Sequence, residues 1–361
     1  MTAGNKKIRG RGASGNPDVR YLSENREAFN DDWQREELDE SIATSVAIEH
    51  ARSIIARNQS PDIPFEQSIN PYRGCEHGCS YCYARPTHAY LDLSPGLDFE
   101  TRLTAKENAA QLLKQEIAAD AYVCSPIALG TNTDPYQPIE RKYKITRSIL
   151  ELLARHKHPL TIVTKSHLVQ RDMDLLAALA EQELVQVFVS VTTLDRELAS
   201  TLEPRASTPF RRIQTIRTLS EAGVPVGLMF APVIPMVNDA EMETIIESCA
   251  EAGAETAGYV MLRLPHEVKE LFRDWLARYM PLKKERVMNM LRDIRGGKDY
   301  DPGYHTRLRG EGEFAALIKQ RFTRACTRSG LNRKRRQLNC QLFEKPILPG
   351  AQFEMFQSQE S

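Results

Sequence analysis

Residues 75 to 82 read Cys-Glu-His-Gly-Cys-Ser-Tyr-Cys, so Cys75, Cys79 and Cys82 form a C-x3-C-x2-C pattern inside one short loop. Three thiolates held within a few ångströms of each other bind metal, and in a reducing compartment they do so in preference to forming disulfides. A cubane iron–sulfur cluster has four irons, and this loop offers sulfur to three of them. The fourth iron would keep an exchangeable position, as catalytic metal sites do and closed structural sites do not. Chemistry is the expected use. A zinc site would need a fourth ligand, which His77 or His88 could supply, although structural zinc sites usually pair one C-x2-C with a second. Cys124 begins a strand, while Cys249, Cys326 and Cys340 stand singly in helical or tail contexts where inert thiols are the default.

The elements that must position this loop follow from periodicity. Short apolar strands are expected at 65–70, 125–130, 160–165, 185–191, 224–230 and 256–262. Amphipathic helices lie between them near 106–118, 146–155, 168–181, 208–222 and 239–252, with a sixth at 267–279. Leu-Thr-Ile-Val-Thr and Val-Phe-Val-Ser-Val are apolar on both faces, as parallel strands covered by helices must be. Six β-then-α units in series with right-handed crossovers imply an open, barrel-like parallel sheet. In such folds the working residues gather on loops after the carboxyl ends of strands, which is where the cysteine loop falls. Upstream, residues 1–40 are polar and aperiodic and read as an extension that is mobile or draped over the surface. A short helix is expected at 41–57, with Ile42, Val46, Ile48 and Ala51 on its apolar side.

The chain carries 48 basic and 48 acidic residues, a formal charge of zero that argues against gross electrostatic binding of nucleic acid by the whole molecule. The balance hides an asymmetry, because residues 281–345 hold 17 Lys and Arg against 7 Asp and Glu. An excess of that kind suggests a face for an anionic partner. Within it, Arg295-Gly296-Gly297-Lys298 could wrap a phosphate, and Arg333-Lys334-Arg335-Arg336 could lie along a nucleic-acid backbone. Solvated basic faces explain the same runs. No apolar run approaches a membrane span and the opening residues lack a signal-peptide core, so a cytoplasmic protein without membrane contact is expected. Composition leaves the oligomeric state open.

The cysteine spacing, with the aromatic Tyr81 just before the last cysteine, resembles the signature of the radical S-adenosylmethionine (radical SAM) superfamily. The longer string 68–85, Ser-Ile-Asn-Pro-Tyr-Arg-Gly-Cys-Glu-His-Gly-Cys-Ser-Tyr-Cys-Tyr-Ala-Arg, is similar to the branch related to spore photoproduct lyase. The resemblance covers roughly 64–280 and implies an α/β partial (β/α)6 barrel there; with the expected N-terminal helix the core runs over 41–280, flanked by the N-terminal extension, a basic C-terminal extension at 281–345 expected to pack across the open barrel edge and shape the substrate mouth, and a tail at 346–361. It implies a [4Fe–4S] cluster on Cys75, Cys79 and Cys82, with the methionyl amine and carboxylate of S-adenosylmethionine chelating the remaining iron. One electron from the cluster then yields a 5′-deoxyadenosyl radical that abstracts hydrogen from substrate. An electron donor such as ferredoxin or flavodoxin is implied, and nucleic acid becomes a candidate substrate because the lyase acts on DNA. The competing reading is a non-catalytic, zinc-stabilised nucleic-acid-binding module.

By position, the resemblance also nominates contacts for S-adenosylmethionine. Thr131, Asn132, Thr133 and Asp134 follow the second strand like the motif that grips the methionyl amine, although a Pro-terminated Asx turn has the same composition. Lys165 ends the third strand like the lysine that meets the cosubstrate carboxylate, and burying it unpaired would be costly. Ser190 and Thr192 end the fourth strand, and Ser190 resembles a ribose- or carboxylate-binding hydroxyl. Arg205 follows Glu203-Pro204 and could fork onto a carboxylate. Val233 and Ile234 could pack on adenine, and Met261 could touch adenine or substrate. Tyr81 belongs to the cofactor loop. The lyase carries a hydrogen-donating cysteine at the end of its second strand, where this chain has Thr131, so thymine-dimer repair is not the expected reaction. Tyr83 or Tyr136 could serve as the donor instead.

Overall fold

The computed structural model describes residues 8–22, 42–334 and 336–348. Among the described residues ten strands appear in order: β1 Ser45–Glu49, β2 Ile55–Arg57, β3 Gln67–Ile69, β4 Tyr72–Arg73, β5 Arg102–Lys106, β6 Ile127–Leu129, β7 Leu160–Thr164, β8 Val185–Ser190, β9 Val226–Val233 and β10 Thr256–Met261. Seven form one sheet in the order β10-β9-β8-β7-β6-β3-β2, so successive strands along the chain lie side by side. All neighbours are parallel except β2, which runs antiparallel to β3 at one edge. Among the described residues the sheet has two free edges and does not close, which makes it a partial barrel.

Burial explains the sequence of these strands. Every residue of β6 is buried, as is nearly all of β8, because helices cover one face and the barrel interior the other. Each Ile, Leu or Val removed from water in these strands contributes about 1.5–3 kcal/mol. Helices Ala109–Ala118, Ile145–Arg155, Met173–Ala180, Pro209–Glu221, Met242–Glu251 and Val268–Tyr279 follow the strands as periodicity predicts. In Ile145–Arg155 the buried set Ile145, Ile149, Leu152 and Leu153 traces one helical face.

The helix expected at 41–57 is absent from the described part of that segment, 42–57. Val46 and Ile48 sit two apart, a strand period, and Ser45–Glu49 pairs in parallel with β5 in a separate three-stranded sheet, β1-β5-β4. Residues 55–57 become the edge strand β2. A further helix that periodicity did not reveal, Arg196–Leu202, follows β8.

The basic extension lies against the β10 side. Helix Gly312–Arg328 packs on Met242–Glu251, and Phe322 meets Tyr259 of β10 with ring centroids 4.7 Å apart. Asn332 pairs with the edge of β10 like a one-residue strand, its side chain donating to the Ala257 carbonyl and accepting from the Ala257 amide. Arg295 is buried and donates to the carbonyls of Leu262, Thr306 and Arg307. It is a bracket within the fold, three of its donors going to backbone carbonyls. Arg335, in the second basic run, lies outside the described residues, as do 1–7, 23–41 and 349–361. The stretch expected to be mobile therefore falls partly outside them, while its described part, 8–22, is bonded to the barrel. Among the described residues no helix is long and apolar enough to cross a membrane.

Candidate functional site

The loops after the carboxyl ends of β3, β6, β7, β8 and β9 meet on one rim. The cysteine loop is held there by backbone hydrogen bonds from outside itself. The Cys75 amide donates to the Phe99 carbonyl, the Ser80 amide to Leu202, and the Arg205 amide to His77. Gln137 brackets the loop by accepting from the Glu76 amide and donating to the Gly74 carbonyl. Cys75 and Cys79 are buried and Cys82 is half-buried, all three free thiols. Burial is the leading cause that pushes each thiol upward, Cys79 to about 12. Lys165 and Arg212 pull Cys79 back down, and Arg85 does the same for Cys82.

Gly130 lets the chain leave β6. At φ +90° a Cβ there would sit 2.1 Å from the Val163 carbonyl oxygen, so only glycine can bring the next loop this close to β7. That loop is organised by Asn70, whose side-chain oxygen accepts from the amides of Asn132 and Thr133 and whose amide donates to the Thr131 hydroxyl. Asp134 accepts from the Thr164 hydroxyl at 2.7 Å, the Lys165 amide at 2.8 Å and the Tyr136 amide at 2.8 Å. His77 Nδ1 stands 3.3 Å from it. These partners outweigh burial and hold its carboxyl below the ordinary range. Both of its oxygens are thus engaged: Oδ1 holds the second-strand loop to the end of β7, and Oδ2 reaches from the Lys165 amide to His77 of the cysteine loop.

Lys165 Nζ donates to Ser190 Oγ at 2.9 Å and lies 3.9 Å from Glu203. Its ammonium also faces the Tyr81 ring, 6.0 Å from the centroid. Glu203 is fully buried and accepts from the Tyr81 hydroxyl, from Thr192 Oγ1 at 2.5 Å and from the Arg212 guanidinium. Burial opposes its charge, yet Arg212 and Lys165 win and hold it down at about 2. Glu203 and Arg212 were not singled out from sequence. A signal existed: Arg212 shares the spacing of Thr215, Ile216 and Leu219 on the buried face of its helix, where an arginine needs a buried anion.

Arg205, the residue sequence pointed to in that stretch, pairs instead with Glu76 of the cysteine loop at 3.1 Å and is more exposed. Val233, Ile234 and Met261 are wholly buried. Asn238 ties the ends of β8 and β9 together, donating to the carbonyls of Thr192 and Pro232 and accepting from the Ile234 amide. The Tyr83 hydroxyl donates to the Thr131 carbonyl, and its ring, 46% exposed, lies under Arg263 at 5.2 Å. Tyr136 is buried with its hydroxyl on Asp172 at 3.0 Å, away from the opening. Of the two histidines near the thiols, His77 faces Asp134 and His88 bonds the Arg102 carbonyl at 3.0 Å. Cys124 lies at the other end of the barrel, 3.7 Å from His158, which precedes β7.

The sequence model of the Radical SAM superfamily matches residues 69–249. The chain belongs to the Radical SAM superfamily. An uncharacterized protein of Mycobacterium tuberculosis is 38% identical over 259 residues, covering 70% of this chain and 75% of the relative. An uncharacterized protein of Methanocaldococcus jannaschii is 31% identical over 173 residues, 48% of this chain and 62% of that protein. Among solved structures, a mutant of spore photoproduct lyase superposes with a TM-score of 0.58 at 16% identity, covering 79% of this chain and 80% of the lyase. The lyase complexed with dinucleoside spore photoproduct gives a TM-score of 0.56 at 16% identity. At such identities the likeness is one of fold, the same α/β partial barrel. Family membership makes the chain an enzyme of radical SAM type, a class that works with an iron–sulfur cluster and S-adenosylmethionine.

Proposed function

We propose that Cys75, Cys79 and Cys82 hold a [4Fe–4S] cluster and that the rim around Lys165 and Ser190 receives S-adenosylmethionine against it. The residues fit the group. The three thiols sit on one loop whose backbone is bonded from outside, so it presents ligands without having to fold around them. Ser80 Oγ, between two of the thiols, is buried with no partner among protein atoms, a donor available to a sulfur seated on the loop. When bound, the cluster supplies the electron that splits S-adenosylmethionine into methionine and a 5′-deoxyadenosyl radical able to take a hydrogen atom from substrate.

The observation that carries this reading is the placement of a cation beside the thiols. Lys165 directly follows β7 with its side chain 18% exposed, so its ammonium can still meet a carboxylate from the opening. Ser190 orients that ammonium and Glu203 balances its charge. Thr131, Asn132 and Thr133 shape the adjoining wall, and Val233, Ile234 and Met261 give it an apolar floor. Asp134 and Arg205 serve by holding the cysteine loop in register. Tyr83, exposed at the opening and following Cys82 directly, is the proposed hydrogen-atom donor in place of a thiol.

The substrate is proposed to be anionic, with nucleic acid the first class to try. Arg263 lies over Tyr83 and donates to the Tyr300 hydroxyl at 3.3 Å, while its Nε is buried without a partner. Arginine interleaved with tyrosine suits a ligand with phosphate and ring portions. A small reductant protein such as ferredoxin or flavodoxin would deliver the electron.

Anaerobic reconstitution tests the reading. Wild-type protein should carry close to four irons per chain and release 5′-deoxyadenosine with S-adenosylmethionine and dithionite. Cys79→Ala should lose both, and Cys326→Ala neither. Full iron in the Cys79 variant would refute the ligand set.

A further inference from the structure

Residues 8–22 lie well upstream of the family-matched region, which begins at residue 69. They nevertheless reach the cysteine loop from behind. The Gly12 and Ala13 amides donate to the two oxygens of Glu100 at 3.0 and 2.8 Å. Glu100 also takes the Arg85 guanidinium, and both of these side chains have no solvent exposure. Arg85 Nε then donates to the Cys79 carbonyl at 2.9 Å. Arg11 donates to the Glu100 carbonyl at 2.9 Å and to Thr44 Oγ1 at 3.0 Å. Thr44 in turn donates to Glu76, the residue after Cys75.

The contact is backbone against backbone. A Cβ on Gly12 would stand 1.7 Å from the Gly78 carbonyl oxygen, in the middle of the C-x3-C turn. Gly78 itself has φ +67°, and a Cβ there would meet Glu100 at 2.7 Å. The segment is pinned on both sides of this point. Asn16 and Asp98 exchange hydrogen bonds of 2.9 and 3.0 Å, Leu97 donates to the Gly15 carbonyl, and Tyr21 stacks on Tyr90 at 5.4 Å.

We infer that residues 8–22 form a brace that belongs to the cysteine loop, fixing the Cys75–Cys79 turn through Gly12, Glu100 and Arg85 and covering its rear face. Gly12, Arg11 and Glu100 act as positioning residues. For its cofactor consequence the inference rests on the proposed cluster; for the exposure of the thiols it does not. The physical basis is that a buried carboxylate is stable only with its donors in place, and two of those donors are amides of the brace.

The experiment uses the full chain in two states. In metal-free protein, alkylation of Cys75 and Cys79 by iodoacetamide is followed by mass spectrometry. Gly12→Val, which cannot keep the backbone contact, should raise the alkylation rate by about tenfold or more as the loop opens. Gly15→Ala should leave it unchanged, because a Cβ there meets nothing within 4 Å. In reconstituted protein, Gly12→Val should lose iron faster to a chelator. If Gly12→Val does not fold, Arg11→Gln removes hydrogen bonds without adding bulk and should give a smaller increase of the same sign. A folded Gly12→Val protein with alkylation within about twofold of wild type would overturn the inference. If the alkylation contrast appears but no protein takes up iron, the brace stands and the proposed cofactor falls.

Discussion

The Tyr81 hydroxyl donates to Glu203, a residue 122 positions later in the chain. Tyr81 precedes the last cysteine of the loop, and Glu203 follows the helix after β8. The same carboxylate accepts from Thr192 and Arg212 and stands 3.9 Å from Lys165. One buried anion therefore registers the cysteine loop against the ends of β7 and β8.

Replacing that anion should be costly. Glu203→Ala leaves Arg212, 2% exposed, without a counter-ion and should destabilise the protein by about 3–5 kcal/mol. Glu203→Gln keeps part of the hydrogen bonding and should cost less. Arg205→Ala, which breaks a more exposed pair, should cost under about 1 kcal/mol. Urea unfolding midpoints rank the three, and equal losses for Glu203→Ala and Arg205→Ala would contradict the arrangement.

Lys165→Ala should weaken S-adenosylmethionine binding by about tenfold to a hundredfold, the range for loss of one charge-assisted hydrogen bond. Iron content should not change, since Lys165 is no ligand. Titration calorimetry on reconstituted protein reads the first and iron analysis the second.

His158 gives the fold a pH dependence. It is buried at the base of β7 between the Tyr122 hydroxyl at 2.7 Å and the Pro159 carbonyl at 2.9 Å, and burial lowers it from 6.5 to about 4. Below pH 6.5 the unfolded chain binds a proton that the folded protein refuses. Stability from this group is therefore complete above 6.5 and declines as pH falls toward about 4. His158→Gln should lack that part of the decline. Urea midpoints at pH 7 and at pH 4.5 make the comparison, and parallel slopes would rule it out.

The two edges of the open sheet are bridged by Arg307 and Asp62. The guanidinium donates twice to the carboxylate, at 2.6 and 2.7 Å, between the C-terminal extension and the loop joining β2 to β3. Arg309 anchors the same segment to the Tyr259 carbonyl of β10 at 2.8 Å. Arg307→Ala should cost about 1–3 kcal/mol. It should speed amide exchange at 58–66 and 300–309 while β7 and β8 keep their protection. Unchanged exchange in those two segments would show that the bridge does not hold the edges together.

The cysteine loop and the serial β/α units were legible in the sequence, because ligand spacing and hydrophobic period are local properties. The 41–57 segment shows where local reading fails. Its apolar residues fit a loose helical side, but Val46 and Ile48 alternate, and only pairing with Arg102–Lys106 decided that they form a strand. Lys165 was legible as a cation at a strand end; Arg212 showed only as an arginine on the apolar face of its helix, and nothing local pointed to Glu203 as its partner.

Sequence by itself determined the cysteine spacing, the order of the strands and which ends of them carry polar groups. Tertiary structure decided which charges are spent on holding the site and which remain available to it. Asp134 and Arg205 went to the first use, Lys165 to the second, and residues 8–22 became part of the loop. The reason is physical. A buried charge is stable only beside a partner that folding brings from far along the chain, and no local pattern records which partner that will be.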